Sequence, residues 1–444
     1  MVAKTRLAFQ KRHRLVGQRT KPWKTLILAA SKGNEARTDF ETNRLLSARR
    51  CATMYEQNVA QSRRTQSMAG EQNKMKCIIL TMTSGEGHNN TAKALAEQFA
   101  QTGVESEIVD IFKHDGFEYR FNSWGYLFVC KRFPRTYDFF WKKLKFRNSE
   151  RRYHGIAQKE VDKIADDVAE KVRSVGCDFF VCVHPYCAML CDKWKRQGKF
   201  ADKKVVAILT DVLPHPLWES AIRCDYVLTP TTHGFEQLHQ KGFATEQLCA
   251  SGFPVASKFA KTENKQDMRK ALGLQNKFTV MIASGGFGIG ENWKVAKRLA
   301  KLDVQILCVN GKNKRAFAKT QKLAKRQPNL HNFGFVNNVD ELMSCSDVIV
   351  SRGGAATLFE AMTKRLPVIV REKAIINERE NAEILQREGA AIALKKLSQV
   401  EEIVKELQND SQKLESMQNA CAAFAQGDVQ NVCAKILDLV QTND

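Results

Sequence analysis

The sequence predicts an α/β protein of two doubly wound domains, each a parallel sheet covered by helices. Three observations carry this. Short apolar runs alternate with stretches of helical period from about residue 75 onward, and the alternation starts afresh near residue 278. Three of the turns that lead from a strand into a helix are rich in glycine. At 444 residues the chain also exceeds what one hydrophobic core usually supports.

Residues 1–74 show neither period, and their single apolar patch, residues 26–30, is too short for a signal-peptide core. Residues 1–75 hold 16 Lys and Arg against 5 Asp and Glu, a net of +11. They read as a basic, disordered extension: a targeting segment, or an upstream reading of a chain that starts at Met75. The second fits better, because Met75-Lys76 leads straight into a strand. In a first domain, residues 75–260, buried strands are expected at 77–82, 179–183, 205–209 and 226–228. Between them Val161, Ile164, Ala165, Val168, Val172 and Val175 repeat at helical spacing and would pack one face on that sheet. In a second domain, residues 261–426, strands are expected at 278–283, 304–309, 348–350, 367–370 and 390–394, with helices at 293–301 and 355–363 among them. The polar stretch 257–266 separates the two, and a last helix near 429–440, within residues 427–444, closes the chain.

Composition narrows the partners. The formal charge of +22 attracts polyanions of any kind, whether nucleic acid, anionic lipid or nucleotide phosphate. No run of about 18 apolar residues could span a bilayer, so membrane contact would be peripheral. Thirteen cysteines lie singly in apolar runs without a CxxC pair, which fits buried free thiols in a reducing cytosol. Cys182, His184, Cys187 and Cys191 come nearest to a metal cluster, but their spacing lies outside the zinc patterns.

The glycine-rich turns are Thr83-Ser84-Gly85-Glu86-Gly87-His88, Ser284-Gly285-Gly286-Phe287-Gly288-Ile289-Gly290 and Ser351-Arg352-Gly353-Gly354-Ala355. Each would aim free backbone N–H groups into the cleft above its sheet, which is anion-binding geometry. Neither of the first two matches GxxxxGK[ST], and no GxGxxG opens the first domain. NTP hydrolysis and dinucleotide redox chemistry therefore fall in rank.

From about Met75 to Lys395 these motifs, in order, resemble the lipid-glycosylating branch of glycosyltransferase family 28: the monogalactosyldiacylglycerol synthases and the processive diacylglycerol glucosyltransferases. Gly85-Glu86-Gly87-His88 is similar to that family's glycine turn ending in histidine. Tyr126, Lys131, Arg132, Pro134, Tyr137 and Trp141 fall in a stretch similar to its aromatic-basic acceptor segment. Thr210-Asp211 followed by His215 and Trp218 resembles its Thr-Asp turn, Ser251-Gly252-Phe253-Pro254 its approach to the hinge, and Gly334-Phe335-Val336 its nucleotide-base segment. Arg352-Gly353-Gly354 through Glu360-Ala361 resembles its donor signature.

The resemblance implies a GT-B fold, two Rossmann-like domains facing across a cleft, with the UDP-sugar in the second and the acceptor in the first. It implies transfer of glucose or galactose to diacylglycerol or a glycosyldiacylglycerol, with inversion at the anomeric carbon. Gly353, Gly354 and Ala355 would meet the diphosphate, Glu360 the ribose hydroxyls, Phe335 and Val336 the base, and Asn377 and Glu378 the donor sugar, with Gly286 also on the donor side. Where the family has Pro-Gly-Gln-Glu, this chain reads Ile375-Ile376-Asn377-Glu378, and an Asn reaches less far than a Gln.

Inverting transfer needs a base on the acceptor hydroxyl. His88, at a cleft-facing helix start, is the candidate, with a pKa expected to be lowered by the local positive potential; ordering the turn or binding acceptor are its other uses. Asp211, after a strand end, could orient that histidine, be the base itself, or cap a helix. His184 and His215 are expected to line the cleft, His215 and Gly87 on the acceptor side. No Asp-x-Asp pair is placed for Mg²⁺, so no metal cofactor is expected, and helix N-termini with Arg352 would stabilise the leaving diphosphate. Residues 117–146 mix Phe, Tyr and Trp with Lys and Arg. Nucleic-acid stacking uses the same residue types, but the setting inside an acceptor domain favours an anionic membrane surface on the cytoplasmic side, and no nucleic acid. A nucleotide-sugar epimerase of similar fold and a UDP-sugar-binding protein without transferase activity remain the other readings.

Overall fold

The computed structural model describes residues 74–83, 86–113, 138–139, 149–371, 374–425 and 427–442. The expectations for residues 1–73 and for Tyr126, Lys131, Arg132, Pro134, Tyr137 and Trp141 lie outside the described residues. The first sheet contains β1 (Lys76–Thr81), β2 (Glu105–Asp110), β3 (Phe179–Cys182), β4 (Lys204–Ile208), β5 (Tyr226–Thr229) and β6 (Leu248–Ala250). Its order is β2-β1-β3-β4-β5-β6. The second contains β7 (Thr279–Ala283), β8 (Gln305–Val309), β9 (Leu330–Phe333), β10 (Val348–Ser351), β11 (Val368–Val370) and β12 (Ala391–Ala393), in the order β12-β11-β10-β7-β8-β9. Every pairing is parallel, an arrangement that needs crossover connections, which the intervening helices supply.

Helices α1 (Glu86–Gln101), α2 (Ser149–Val175), α3 (Pro185–Arg196) and α4 (Thr232–Gln240) belong to the first half. The second half carries α5 (Lys265–Ala271), α6 (Asn292–Leu299), α7 (Lys314–Ala324), α8 (Val339–Ser344), α9 (Ala355–Thr363), α10 (Ile376–Arg387), α11 (Gln399–Asn409), α12 (Ser411–Phe424) and α13 (Val429–Gln441). Side chains alternate across the pleat, so Ile78 and Leu80 pack under α2 and α3 while Cys77 and Ile79 pack under α1. In the second sheet Val280 and Ile282 meet α6 and α11, and Met281 and Ala283 share a core with α8, α9, α10 and α12.

Two features place the site. In each sheet the chain reverses its winding direction once, between β1 and β3 and between β7 and β10. Open parallel sheets bind ligands beyond the carboxyl ends of the strands at such switch points, and all three glycine turns begin there. The side chains also cross between sheets: Val212, Phe253 and Val255 are buried in the second domain's core, where the Phe253 ring stacks on Phe359 at 4.6 Å.

The final helix returns the other way. Val429, Val432, Cys433 and Ile436 of α13 are buried against Ile79, Leu95 and Phe99 of the first sheet's layer. Ile436→Ala should therefore destabilise the fold by about 2–5 kcal/mol, the usual range for emptying such a site. The measurement is the urea midpoint at unchanged slope; a midpoint within error of the parent would mean that α13 adds nothing to this core.

Candidate active site

His88 lies in the first turn of α1. Its Nδ1 is 2.8 Å from the Val183 carbonyl oxygen and 3.1 Å from Thr210 Oγ1. A carbonyl only accepts, so Nδ1 carries the hydrogen and Nε2 of the neutral ring keeps its lone pair. Burial lowers the His88 pKa, against the Val183 bond, which raises it. The direction matches the expectation but the cause differs: dehydration of the imidazolium, rather than local positive potential, keeps the ring neutral. The ring meets His184 edge-on, with centroids 4.8 Å apart.

His184 and His215 each spend a ring nitrogen on a cap. His184 Nδ1 accepts the Tyr186 N–H at 3.2 Å at the start of α3, and His215 Nδ1 accepts the Leu217 N–H at 3.0 Å at the start of the 3-10 turn Pro216–Arg223. Burial, then the neighbouring His88 and His215, holds His184 well below the ordinary histidine range.

Asp211 turns towards the other domain. Burial pushes its carboxyl up to about 7, a hydrogen bond with Asn381 of α10 pulls it down, and the Glu378 charge raises it. The groups on His88 Nδ1 are thus Val183 and Thr210, the residue before Asp211, while Asp211 bonds to α10.

Across the cleft, Arg352 follows β10 with 8% of its surface exposed. One terminal nitrogen donates to Glu378 Oε2 at 2.8 Å, and its buried Nε has no hydrogen-bond partner among the described residues. Gly353 takes φ +96°, and a Cβ there would stand 2.7 Å from the Glu378 carbonyl oxygen, so this turn admits only glycine. Gly354 caps α9, whose first amides have no partner within the helix. The start of α1 faces them: a Cβ on Gly87 would be 3.9 Å from Ala356 Cβ. His88 and the amide end of α9 therefore belong to one site.

Glu360, on α9, is half-buried, and burial pushes its carboxyl up to about 8; Lys258 lowers it and Asp340 raises it. Asn377 Oδ1 is buried without a hydrogen-bond partner among the described residues. Burial raises the Glu378 pKa, while the Arg352 guanidinium and the Ile375 N–H, 3.1 Å from Oε2, pull it back. In the second glycine turn, Gly286 O accepts the Lys312 N–H at 2.8 Å, and the Lys312 ammonium lies 5.4 Å from the Phe287 ring and 5.1 Å from that of Phe335. Phe335 is 53% exposed, whereas Val336 packs against the second core.

Among the described residues no three His, Cys, Asp or Glu side chains converge on a point that could hold a metal ion. Burial pushes the thiols of Cys182 and Cys187 well above their ordinary value, so they remain protonated.

Three site residues were not singled out from the sequence, and a fourth, Thr210, entered there only as part of the Thr-Asp turn. Thr210 holds His88, Asn381 bonds to Asp211 and to Gly353 O at 3.3 Å, and Arg371 is buried beside Gly290. Asp138 of the first domain accepts the Ile376 N–H at 2.9 Å and pairs with Arg379 at 2.7 Å, so it holds the start of α10. Of Asn381, Arg371 and Asp138, only Asn381 carried a local signal, one helical turn beyond Asn377 on the same face.

Two family models match this chain. "Monogalactosyldiacylglycerol (MGDG) synthase" covers residues 88–255, from His88 through Asp211, and "Glycosyltransferase family 28 C-terminal domain" covers residues 290–432, with Arg352, Glu360 and Glu378. The chain belongs to glycosyltransferase family 28. Within it, the family 28 chain falls in the group of the monogalactosyldiacylglycerol synthases and processive diacylglycerol glucosyltransferases. A processive diacylglycerol beta-glucosyltransferase of Bacillus pumilus is 26% identical over 381 residues, 83% of this chain and 97% of the relative. Its architecture is that of GT-B structures. The glycosyltransferase SnogD of Streptomyces nogalater superimposes with a TM-score of 0.53 at 15% identity, over 83% of this chain and 100% of SnogD. HepE of Anabaena, in complex with UDP-glucose, superimposes with a TM-score of 0.50 at 14% identity, over 82% and 99%. No helix among the described residues is long and apolar enough to cross a membrane.

Proposed function

We propose that this family 28 chain transfers glucose or galactose from a UDP-sugar to diacylglycerol or a glycosyldiacylglycerol, with inversion, at the cytoplasmic surface of a membrane. The observation that carries the reading is the pairing across one cleft of His88, whose Nε2 has no hydrogen-bond partner among the described residues, with Arg352 and the amide end of α9. The Bacillus pumilus relative, which acts on diacylglycerol, and the UDP-glucose held by HepE support acceptor and donor class.

In this mechanism Nε2 of His88 takes the acceptor hydroxyl proton as that oxygen bonds to the anomeric carbon. The bond from that carbon to the diphosphate breaks on the opposite face. The departing charge is met by the first amides of α9 and by Arg352, whose buried Nε is a donor already turned away from water. Glu360 binds the ribose diol, Asn377 and Glu378 the sugar hydroxyls, and Phe335 and Val336 the base. These groups supply the charge stabilisation without a metal ion.

The test is transfer from labelled UDP-glucose and UDP-galactose to diacylglycerol in mixed micelles, with and without chelator. A lipid product of inverted configuration that persists in chelator is the expected result. An epimerised UDP-sugar with no lipid product would establish the epimerase reading instead.

The pH profile separates the two candidate bases. A base must be unprotonated to act, so kcat/KM rises as pH passes its pKa in the free enzyme. With His88 as base the acid limb lies below 6.5, since burial lowers its pKa from that value. A limb centred near 7 would assign the role to Asp211, whose carboxyl burial pushes up to about 7.

A further inference from the structure

The positive charge of this chain is concentrated in two places. Residues 1–75 carry a net +11; residues 292–326 carry 11 Lys and Arg against the single acid Asp303, a net +10. Together they hold all but one unit of the total +22, so the rest of the chain is close to neutral.

The second concentration has a defined shape. It comprises α6, α7 and the residues that flank them, and the two helices pack side by side on the second domain. Their apolar residues, such as Val295, Ala296, Leu299 and Ala316, are buried inward. Their cations point out: Lys297, Lys314, Arg315, Lys322, Lys325 and Arg326 are exposed and make no ion pair with the described residues. The acids at the margin are already engaged, Glu291 by Lys294 at 2.7 Å, Glu401 by Arg298 at 3.3 Å and Asp303 by Lys277 at 2.7 Å. Six like charges on one face repel each other, and folding gains nothing from collecting them there.

We infer that the α6–α7 face is a docking surface for an anionic lipid bilayer. Charge complementarity selects a polyanion, and the aromatic chemistry selects lipid over nucleic acid. Bases are bound by stacking on open aromatic faces, but the one tryptophan here, Trp293, is covered by the ammonium groups of Lys319 at 4.4 Å and Lys294 at 5.5 Å. A half-buried tryptophan flanked by lysines suits the headgroup boundary. The surface would hold the donor domain at the membrane that carries the lipid acceptor, and to that extent the inference rests on the proposed acceptor.

The experiment is flotation of the full chain with phosphatidylcholine vesicles, with and without about 30% phosphatidylglycerol, at about 0.1 M and 0.5 M salt. The face variant is K322Q/K325Q/R326Q; a control, K93Q/K159Q/K270Q, removes three exposed lysines elsewhere. Each basic residue close to an anionic leaflet strengthens binding about fivefold, so the face variant should partition about a hundredfold more weakly than the parent. The control should stay within a few-fold, and high salt should release the parent. Equal loss in both variants, or none in the face variant, overturns the inference, as does tighter capture by polyuridylate than by anionic vesicles. Transfer to diacylglycerol in neutral detergent micelles reports separately on the enzyme: the face variant should match the parent there, and a parent that makes no lipid product sinks the proposed function but not the vesicle result.

Discussion

Replacing His88 by alanine is expected to lower kcat by a factor of about 10²–10⁴, the usual contribution of a positioned general base, while UDP affinity stays within about twofold. The contrast follows from where the ring sits. His88 belongs to the first domain, fixed to Val183 and Thr210, whereas the groups assigned to the UDP-sugar follow β9 and β10 or lie on α9 and α10 of the second. Single-turnover transfer and UDP titration measure the two quantities, with circular dichroism as the check on folding. Turnover within tenfold of the parent would remove His88 from the chemistry and leave Asp211 as the base. Thr210→Val offers a graded companion, since it deletes one of the two groups on Nδ1 and keeps the other.

The parts of this fold that sequence reveals are those whose residues answer to one local requirement. The inner strands read as apolar runs because helices cover both of their faces: β3 is Phe-Phe-Val-Cys and every residue is buried. The three strands that the apolar pattern did not disclose, β2, β6 and β9, each lie at a sheet edge. β2 reads Glu-Ser-Glu-Ile-Val-Asp with one buried residue, and β9 reads Leu-His-Asn-Phe, so neither has to be apolar throughout.

The site divides in the same way. Glycine turns and a histidine at a helix start are local, and Gly353 is required by its own dihedral angle and by the carbonyl above it. The contacts that set the site's chemistry are long-range. Thr210 and His88 are 122 residues apart, and Asp138 and Ile376 are 238 apart. No spacing rule links such pairs; they meet only once both sheets have formed. The cause of the lowered His88 pKa was hidden for the same reason, because burial is a property of the assembled cleft.

The second large effect is expected at Arg352, where stability and catalysis have to be separated. Arg352 and Glu378 form a buried pair, with 10% and 14% of their side-chain surfaces exposed, and removing one partner of such a pair leaves the other charge without compensation. Arg352→Met should therefore destabilise the fold by about 3–5 kcal/mol and raise the pKa of Glu378, which burial already pushes upward. It should also lower kcat by about 10²–10³, the loss typical when a donor to developing charge is removed. Adding Glu378→Gln tells the two apart, because a neutral amide no longer needs the guanidinium. The double variant should recover most of the lost stability in urea and none of the lost turnover, since nothing has replaced the cation beside the leaving diphosphate. Turnover that returned with stability would mean that Arg352 only holds α10 in place, and the α9 amides would then stand alone against the departing charge.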